Sequence, residues 1–253
     1  MKVYQELVIP DDKRVFFVGD IHGAFDLYKK GCKDLGITDE DVVVSLGDLI
    51  DRGPKNLATV VEFTRKQNRY AIQGNHEDMM IKGMLHGSRE YFECWLMNGG
   101  AQTWDEVGDE AGSMMLAEMV KDLPILLEVK HQGKTFGCVH GGIPFFQRPE
   151  KSWTDVVSKA LLSDHYTHEL IWDRNVINAI QFNQRLGLDL NEEIPKVAGI
   201  DYVLHGHSPV VPPIIAANRV YMDTGGIFNG KLTFAWYEDA ELKFYTTGDY
   251  DEL

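Results

Sequence analysis

Five short apolar runs in this chain each deliver carboxylate, amide or imidazole side chains beside a glycine. The most informative is Val42-Val43-Val44-Ser45-Leu46-Gly47-Asp48-Leu49-Ile50-Asp51-Arg52-Gly53. Its β-branched residues describe a buried strand, and the glycine ends it. Two carboxylates and an arginine follow at once. Such groups are costly to bury unpaired, so a core strand gains nothing from them. An open α/β sheet uses them, because its ligands bind beyond the carboxyl ends of its strands.

The other runs repeat the pattern. Residues Arg14 to Gly19 form a strand with Asp20-Ile21-His22-Gly23 at its exit, followed by a helix whose apolar stripe is Tyr28, Cys32 and Leu35. Pro54 suits the start of a second helix, with Leu57, Val60, Val61 and Thr64 as its buried face. A third strand, Tyr70 to Gln73, ends in Gly74-Asn75-His76-Glu77. This βαβαβ order predicts parallel strands. Residues 78–121 read as helical, interrupted at Asn98-Gly99-Gly100 and ended by Pro124. Met79, Met80, Met84, Met97, Met114, Met115 and Met119 fall there and are expected to fill core gaps.

Strands resume at Ile125–Val129 and Thr135–Val139, the latter delivering His140-Gly141-Gly142. Residues 143–199 read as helix and loop and contain Trp172-Asp173-Arg174. Tyr202–Leu204 then leads into His205-Gly206-His207-Ser208-Pro209, and short strands close the chain. No repeat or linker interrupts the 253 residues, so one α/β domain over 1–253 is expected.

The net charge of −14 disfavours nucleic acid as a partner, since such binding rests on Lys and Arg neutralising phosphates. A site for a phosphorylated substrate must then be locally positive, which metal ions can supply. No apolar run is long enough to span a bilayer, so no membrane partner is expected. Cys32, Cys94 and Cys138 lack metal-ligand spacing and read as thiols in a reducing cytoplasm.

The strand exits together present Asp20, His22, Asp48, Asn75, His140 and His207. Residues two apart in an extended segment point the same way, so Asp20 and His22 could share one ion. Carboxylate, imidazole and amide oxygen without thiolate suit Mn²⁺, Fe or Zn²⁺; of these Mn²⁺ is the cofactor expected. Six ligands are too many for one ion that also keeps water. They suit two ions ~3.5–4 Å apart.

In these motifs the chain resembles the phosphoprotein phosphatase (PPP) family of metallophosphoesterases. The matching segments are Gly19–Gly23, Gly47-Asp48 through Gly53, Gly74–Glu77, His140–Gly142 and His205–His207. Asn98-Gly99-Gly100, Trp172-Asp173-Arg174 and Tyr221–Gly225 resemble its bacterial and bacteriophage branch. The resemblance implies a four-layer sandwich, with a central β-sandwich flanked by helices and a dinuclear site at strand C-terminal ends. It places Asp20 and His22 on one ion, Asp48 as the bridge, and Asn75, His140 and His207 on the other. The doubled histidine offers His205 or His207. His207 is favoured because it precedes the Ser-Pro that the branch shares.

Phosphoryl transfer also needs its oxygens neutralised, and a guanidinium fork does this better than an ammonium. Arg52 and Arg174 are the candidates, as the resemblance also implies. A poor alkoxide leaving group needs a proton, which His76 is placed to give, with Asp51 fixing its tautomer. Asp223 is read either as support for a ligand histidine or as a turn residue.

The function expected is metal-dependent dephosphorylation of phosphoserine and phosphothreonine, with phosphotyrosine as a further candidate, in a phosphoprotein or phosphopeptide. It would proceed by in-line attack of a hydroxide bridging the ions. The competing functions are hydrolysis of dinucleoside polyphosphates, such as diadenosine tetraphosphate, by relatives with the same motifs, and a non-catalytic binding module. The module is disfavoured because no ligand, arginine or acid position is missing.

Overall fold

A computed structural model describes residues 2–144, 152–188 and 194–248. A strand at the sheet edge, β1 (Lys2–Val8), comes first. The expected βαβαβ run follows as β2 (Val15–Val18), α1 (Phe25–Asp34), β3 (Val42–Ser45), α2 (Asn56–Arg65) and β4 (Arg69–Ala71). These three strands are parallel, with Phe16 opposite Val43 and Val44 opposite Tyr70. The helical stretch divides into α3 (Asn75–Met84), α4 (Arg89–Trp95), α5 (Ala101–Val107) and α6 (Glu110–Val120). The predicted interruption is a wide π-type turn, Leu96–Gly100, in which Gly99 has φ 109°.

A hairpin of β5 (Pro124–His131) and β6 (Lys134–Val139) comes next, then α7 (Trp153–Leu162), α8 (Asp164–Trp172) and α9 (Asn175–Arg185). The chain continues through β7 (Tyr202–His205), β8 (Ile214–Ala216), β9 (Arg219–Tyr221), α10 (Gly226–Asn229), β10 (Thr233–Glu238) and β11 (Glu241–Thr246). The described strands form two mixed sheets, β1-β5-β6-β7-β9-β8 and β11-β10-β2-β3-β4.

Period-2 alternation decides what each sheet face meets. Phe16, Val18, Val43 and Ala71 join the core beneath α1–α6, with Tyr28, Val60, Met80 and Trp95. Their neighbours Val15, Phe17, Val42 and Val44 face the opposite way and meet Leu127, Val129, Phe136, Cys138 and Leu204 of the other sheet. That sheet's outer face, including Val139 and Val203, packs on Trp153, Val156, Leu170 and Ile171. The result is four layers, helix–sheet–sheet–helix. All three strands of the βαβαβ run are covered on both faces, which is why they read as unbroken apolar runs.

Three expectations need correction. The buried face of α2 is Asn56, Thr59, Val60, Glu62 and Phe63, while Val61 is 40% exposed. Three polar residues turn inward because they have partners: Glu62 pairs with Arg69, Asn56 donates to Glu106 Oε2 at 2.8 Å, and Thr59 donates to Lys55 O at 2.8 Å. Pro54 precedes the helix, which begins only at Asn56. The methionines divide. Met79 and Met80 are buried, but Met97, Met114 and Met115 are exposed.

Candidate active site

The C-terminal ends of β2, β3, β4, β6 and β7 converge at one edge of the sandwich. Asp48 sits at their centre with φ 48°, in the left-handed region that an L-residue adopts only when held there. Its Oδ2 lies 3.2 Å from His140 Nε2, 3.6 Å from His22 Nε2 and 3.9 Å from His76 Nε2. Its Oδ1 accepts the His76 backbone N–H at 3.0 Å. Two groups of donor atoms share this carboxylate: His22, Asp48 and His76, and Asp48, His140 and His207.

Backbone carbonyls orient two of the rings. His22 Nδ1 donates to Ile50 O and His140 Nδ1 to Leu46 O, both at 2.7 Å, which turns each Nε2 toward Asp48. Asn75 Oδ1 is 3.0 Å from His140 Nε2 and 2.8 Å from His207 Nδ1. Asp20, expected from sequence beside His22, belongs to neither group; both of its oxygens accept the His207 backbone N–H. The extended Asp20–His22 geometry expected from sequence does not occur. His22 has φ 49° and enters the site from a turn. His205 takes no part in either group; its Nδ1 meets Val139 O at 3.0 Å and its ring stacks on Tyr221.

Burial and neighbouring charge set the protonation of this cluster. Burial would raise Asp48, but His140, His76 and His22 overcome it and hold the carboxyl well below its usual range. Burial would lower His140, yet Asp48 and Asp20 push it up to about 10. Burial brings His22 down to about 3, and burial with His140 and Arg174 holds His207 well below its usual value. Burial, then Asp223 and Asp48, raises Asp20. Oriented imidazoles, carboxylates and an amide oxygen converging without thiolate fit divalent ions, which would take the place of ring protons.

Beside this cluster, His76 Nδ1 donates to Asp51 Oδ2 at 2.6 Å, leaving Nε2 toward the cavity. Burial opposes the charge on His76, but Asp48 and Asp51 raise its pKa above the ordinary value. A cavity of about 150 Å³ opens here, lined by His22, Asp48, Asn75, His76 and His207 together with Arg52 and Arg174. One guanidinium hangs over each histidine cluster: Arg52 Nη1 is 2.5 Å from His22 Nε2, and Arg174 Nε donates to His207 Nε2 at 2.8 Å. Phe228, 72% exposed, forms part of the rim, with Arg52 5.2 Å above its ring. Asp223 also borders the cavity. Its Oδ1 accepts the Gly225 N–H at 2.9 Å, the geometry of a turn residue.

Sequence reasoning gave Glu77, Trp95, Thr103 and Phe228 no role. Glu77 is fully buried, and its carboxylate accepts four backbone N–H groups: Asp48 at 3.0 Å, Leu49 at 2.9 Å, Ile50 at 3.3 Å and Gly74 at 2.9 Å. Burial and Asp48 push its pKa up to about 7, against donors that favour the ionised form. The signal was present, since a glutamate at the third helical position commonly reaches back to the residue before the helix. Glu77→Gln should retain one acceptor oxygen and point an amide at the remaining donors. A loss of ~2–4 kcal/mol, that of one or two hydrogen bonds to a charged group, is expected in urea unfolding. An unchanged midpoint would show that the loop does not depend on the carboxylate.

Residues 13–211 match the family model described as Calcineurin-like phosphoesterase. The chain belongs to that family. Its members use divalent metals, in keeping with the donor set described above. The phosphoesterase is 29% identical over 238 residues to serine/threonine-protein phosphatase 1 of Salmonella typhimurium, covering 92% of this chain and 96% of that protein. It is 24% identical over 240 residues to the asymmetrical bis(5'-nucleosyl)-tetraphosphatase PrpE of Anoxybacillus flavithermus, covering 88% and 90%. Among solved structures, a protein serine/threonine phosphatase from Saccharomyces cerevisiae superposes with a TM-score of 0.64 at 14% identity, over 100% of this chain and 85% of that one. That likeness establishes the shared fold. Among the described residues no helix is long and apolar enough to cross a membrane.

Proposed function

We infer that this phosphoesterase removes phosphate from phosphoserine and phosphothreonine in proteins, in the cytoplasm. The observation that carries this is the shape and lining of the site. A cavity of about 150 Å³ with two guanidiniums suits a phosphoryl group alone, leaving the bulk of the substrate outside. A phosphorylated side chain on a polypeptide meets that condition, and the relative at 29% identity carries the name of such an enzyme.

Asp20, His22 and Asp48 would hold one ion, and Asp48, Asn75, His140 and His207 the second, a donor set that suits Mn²⁺, Fe or Zn²⁺. Two such ions supply Lewis acidity to phosphoryl oxygens and a nucleophile at neutral pH. Arg52 and Arg174 bind the equatorial oxygens. His76 Nε2 protonates the departing oxygen while Asp51 keeps Nδ1–H engaged.

Arg52→Lys and Arg174→Lys keep the charge but lose the planar fork. Each should weaken inhibition by free phosphate and lower kcat/KM by ~1–3 kcal/mol, with metal content unchanged. Arg174 stands at the α8–α9 junction, outside the strand exits. Wild-type phosphate inhibition in Arg174→Lys and Arg174→Ala would remove it from the site.

Dinucleoside polyphosphate hydrolysis is the second reading. It is favoured by the PrpE relatives and by Phe228, an exposed ring at the rim on which a base could stack. The two are separated by assaying Mn²⁺-loaded protein on phosphoserine peptides and diadenosine tetraphosphate in parallel. Background peptide turnover beside fast dinucleotide cleavage would overturn the first.

A further inference from the structure

The Asp51 carboxylate is fully buried and carries more hydrogen bonds than its pairing with His76 requires. Trp95 Nε1 donates to both of its oxygens at 3.0 Å, and Thr103 Oγ1 donates to Oδ1 at 2.6 Å. The Thr103 hydroxyl also accepts the Asp51 backbone N–H at 3.1 Å, so its rotor is pinned at both ends. Trp95 and Thr103 flank the π-type turn and are themselves fully buried.

The same turn holds the neighbouring backbone. Asp51 and Arg52 have φ 77° and 69°, consecutive left-handed conformations that cost energy in non-glycine residues. Arg52 N donates to Gly99 O at 3.1 Å, which anchors the strained pair to the turn. A Cβ on Gly99 would lie 2.6 Å from Arg52 Cγ, and one on Gly100 2.5 Å from the Trp95 ring. The two glycines therefore allow the turn to approach this closely.

We propose that Trp95 and Thr103 are positioning residues, which fix the Asp51 carboxylate so that His76 presents its Nε2–H to the leaving oxygen. This deepens the function above and rests on His76 being the proton donor. A merely structural role for Trp95 and Thr103 would slow all substrates alike. A role through His76 slows those whose leaving group needs a proton.

The test uses aryl phosphates, which do not depend on the natural substrate. Phenyl phosphate leaves poorly and p-nitrophenyl phosphate leaves well without help. Trp95→Phe removes one donor, and Thr103→Val removes one donor together with the acceptor of the Asp51 N–H while keeping a similar shape. Both should lower the phenyl to p-nitrophenyl kcat ratio ~10-fold or more, in the same direction as His76→Asn, with KM and metal content unchanged. Thr103→Ser should restore the ratio. Adding Thr103→Val to His76→Asn should change it no further, because the two act as a unit. A second readout needs no turnover: the His76 Nδ1–H proton, whose 2.6 Å bond to Asp51 should deshield it in metal-free protein, should shift or broaden in Thr103→Val and in Trp95→Phe. If His76→Asn shifts the ratio and neither brace variant does, the brace is overturned and the acid stands. If His76→Asn leaves the ratio at wild type, the acid falls and the brace falls with it.

Discussion

Chelation of the purified protein should abolish phosphate ester hydrolysis, and added Mn²⁺ should restore it. The donors are carboxylate, imidazole and amide oxygen, which suit Mn²⁺ better than a thiolate-selective metal. Asp48→Asn should be the most damaging single ligand change. Its Oδ2 faces His140, His22 and His76 at 3.2, 3.6 and 3.9 Å, so it belongs to both donor groups. Asparagine keeps the shape but removes the charge, and can turn an N–H toward ring nitrogens that should ligate. Losing that stabilisation should cost several kcal/mol at the transition state, roughly 10³-fold or more in rate. Metal content by elemental analysis should fall below two ions per chain. Wild-type metal content and rate in Asp48→Asn would show that Asp48 is not the shared ligand, and full activity in rigorously metal-free protein would sink the mechanism.

His76→Asn should leave metal stoichiometry intact and slow phosphoserine peptides by ~10²–10⁴-fold, the usual contribution of a general acid. The alkoxide of serine is a poor leaving group, and the His76 ring has the environment of a donor. Burial disfavours its charge, but Asp48 and the 2.6 Å bond to Asp51 outweigh that and raise its pKa. p-Nitrophenolate leaves with little proton help, so its loss should be much smaller. Equal losses on the two substrates would assign His76 to positioning and not to proton transfer.

Much of the candidate site is legible in the sequence because each group is announced locally. A parallel strand covered on both faces must be apolar throughout, so Val42–Ser45 and its neighbours stand out, and the polar residues after each glycine are conspicuous. β1 carries no such signal, because Lys2, Gln5 and Glu6 break up its apolar residues on a partly exposed edge strand. The α2 face departs from its apolar pattern for a different reason. Periodicity counts apolar residues, whereas Glu62 and Asn56 go inside by finding Arg69 and Glu106.

The sequence alone determined which chemistry stands at each strand exit: Asp20, His22, Asp48, Asn75, His140 and His207 could all be named from their local motifs. Only the tertiary structure decided which groups meet and what holds them. His22 and Asp48 approach the site through positive φ, a conformation that surrounding packing imposes. The Asp51 carboxylate takes hydrogen bonds from His76, Trp95 and Thr103, which lie 25, 44 and 52 residues along the chain. Strand and helix periods state which face a residue occupies, because they are set by the backbone nearby. They carry no information on which distant side chain will face it, since that depends on how the layers pack.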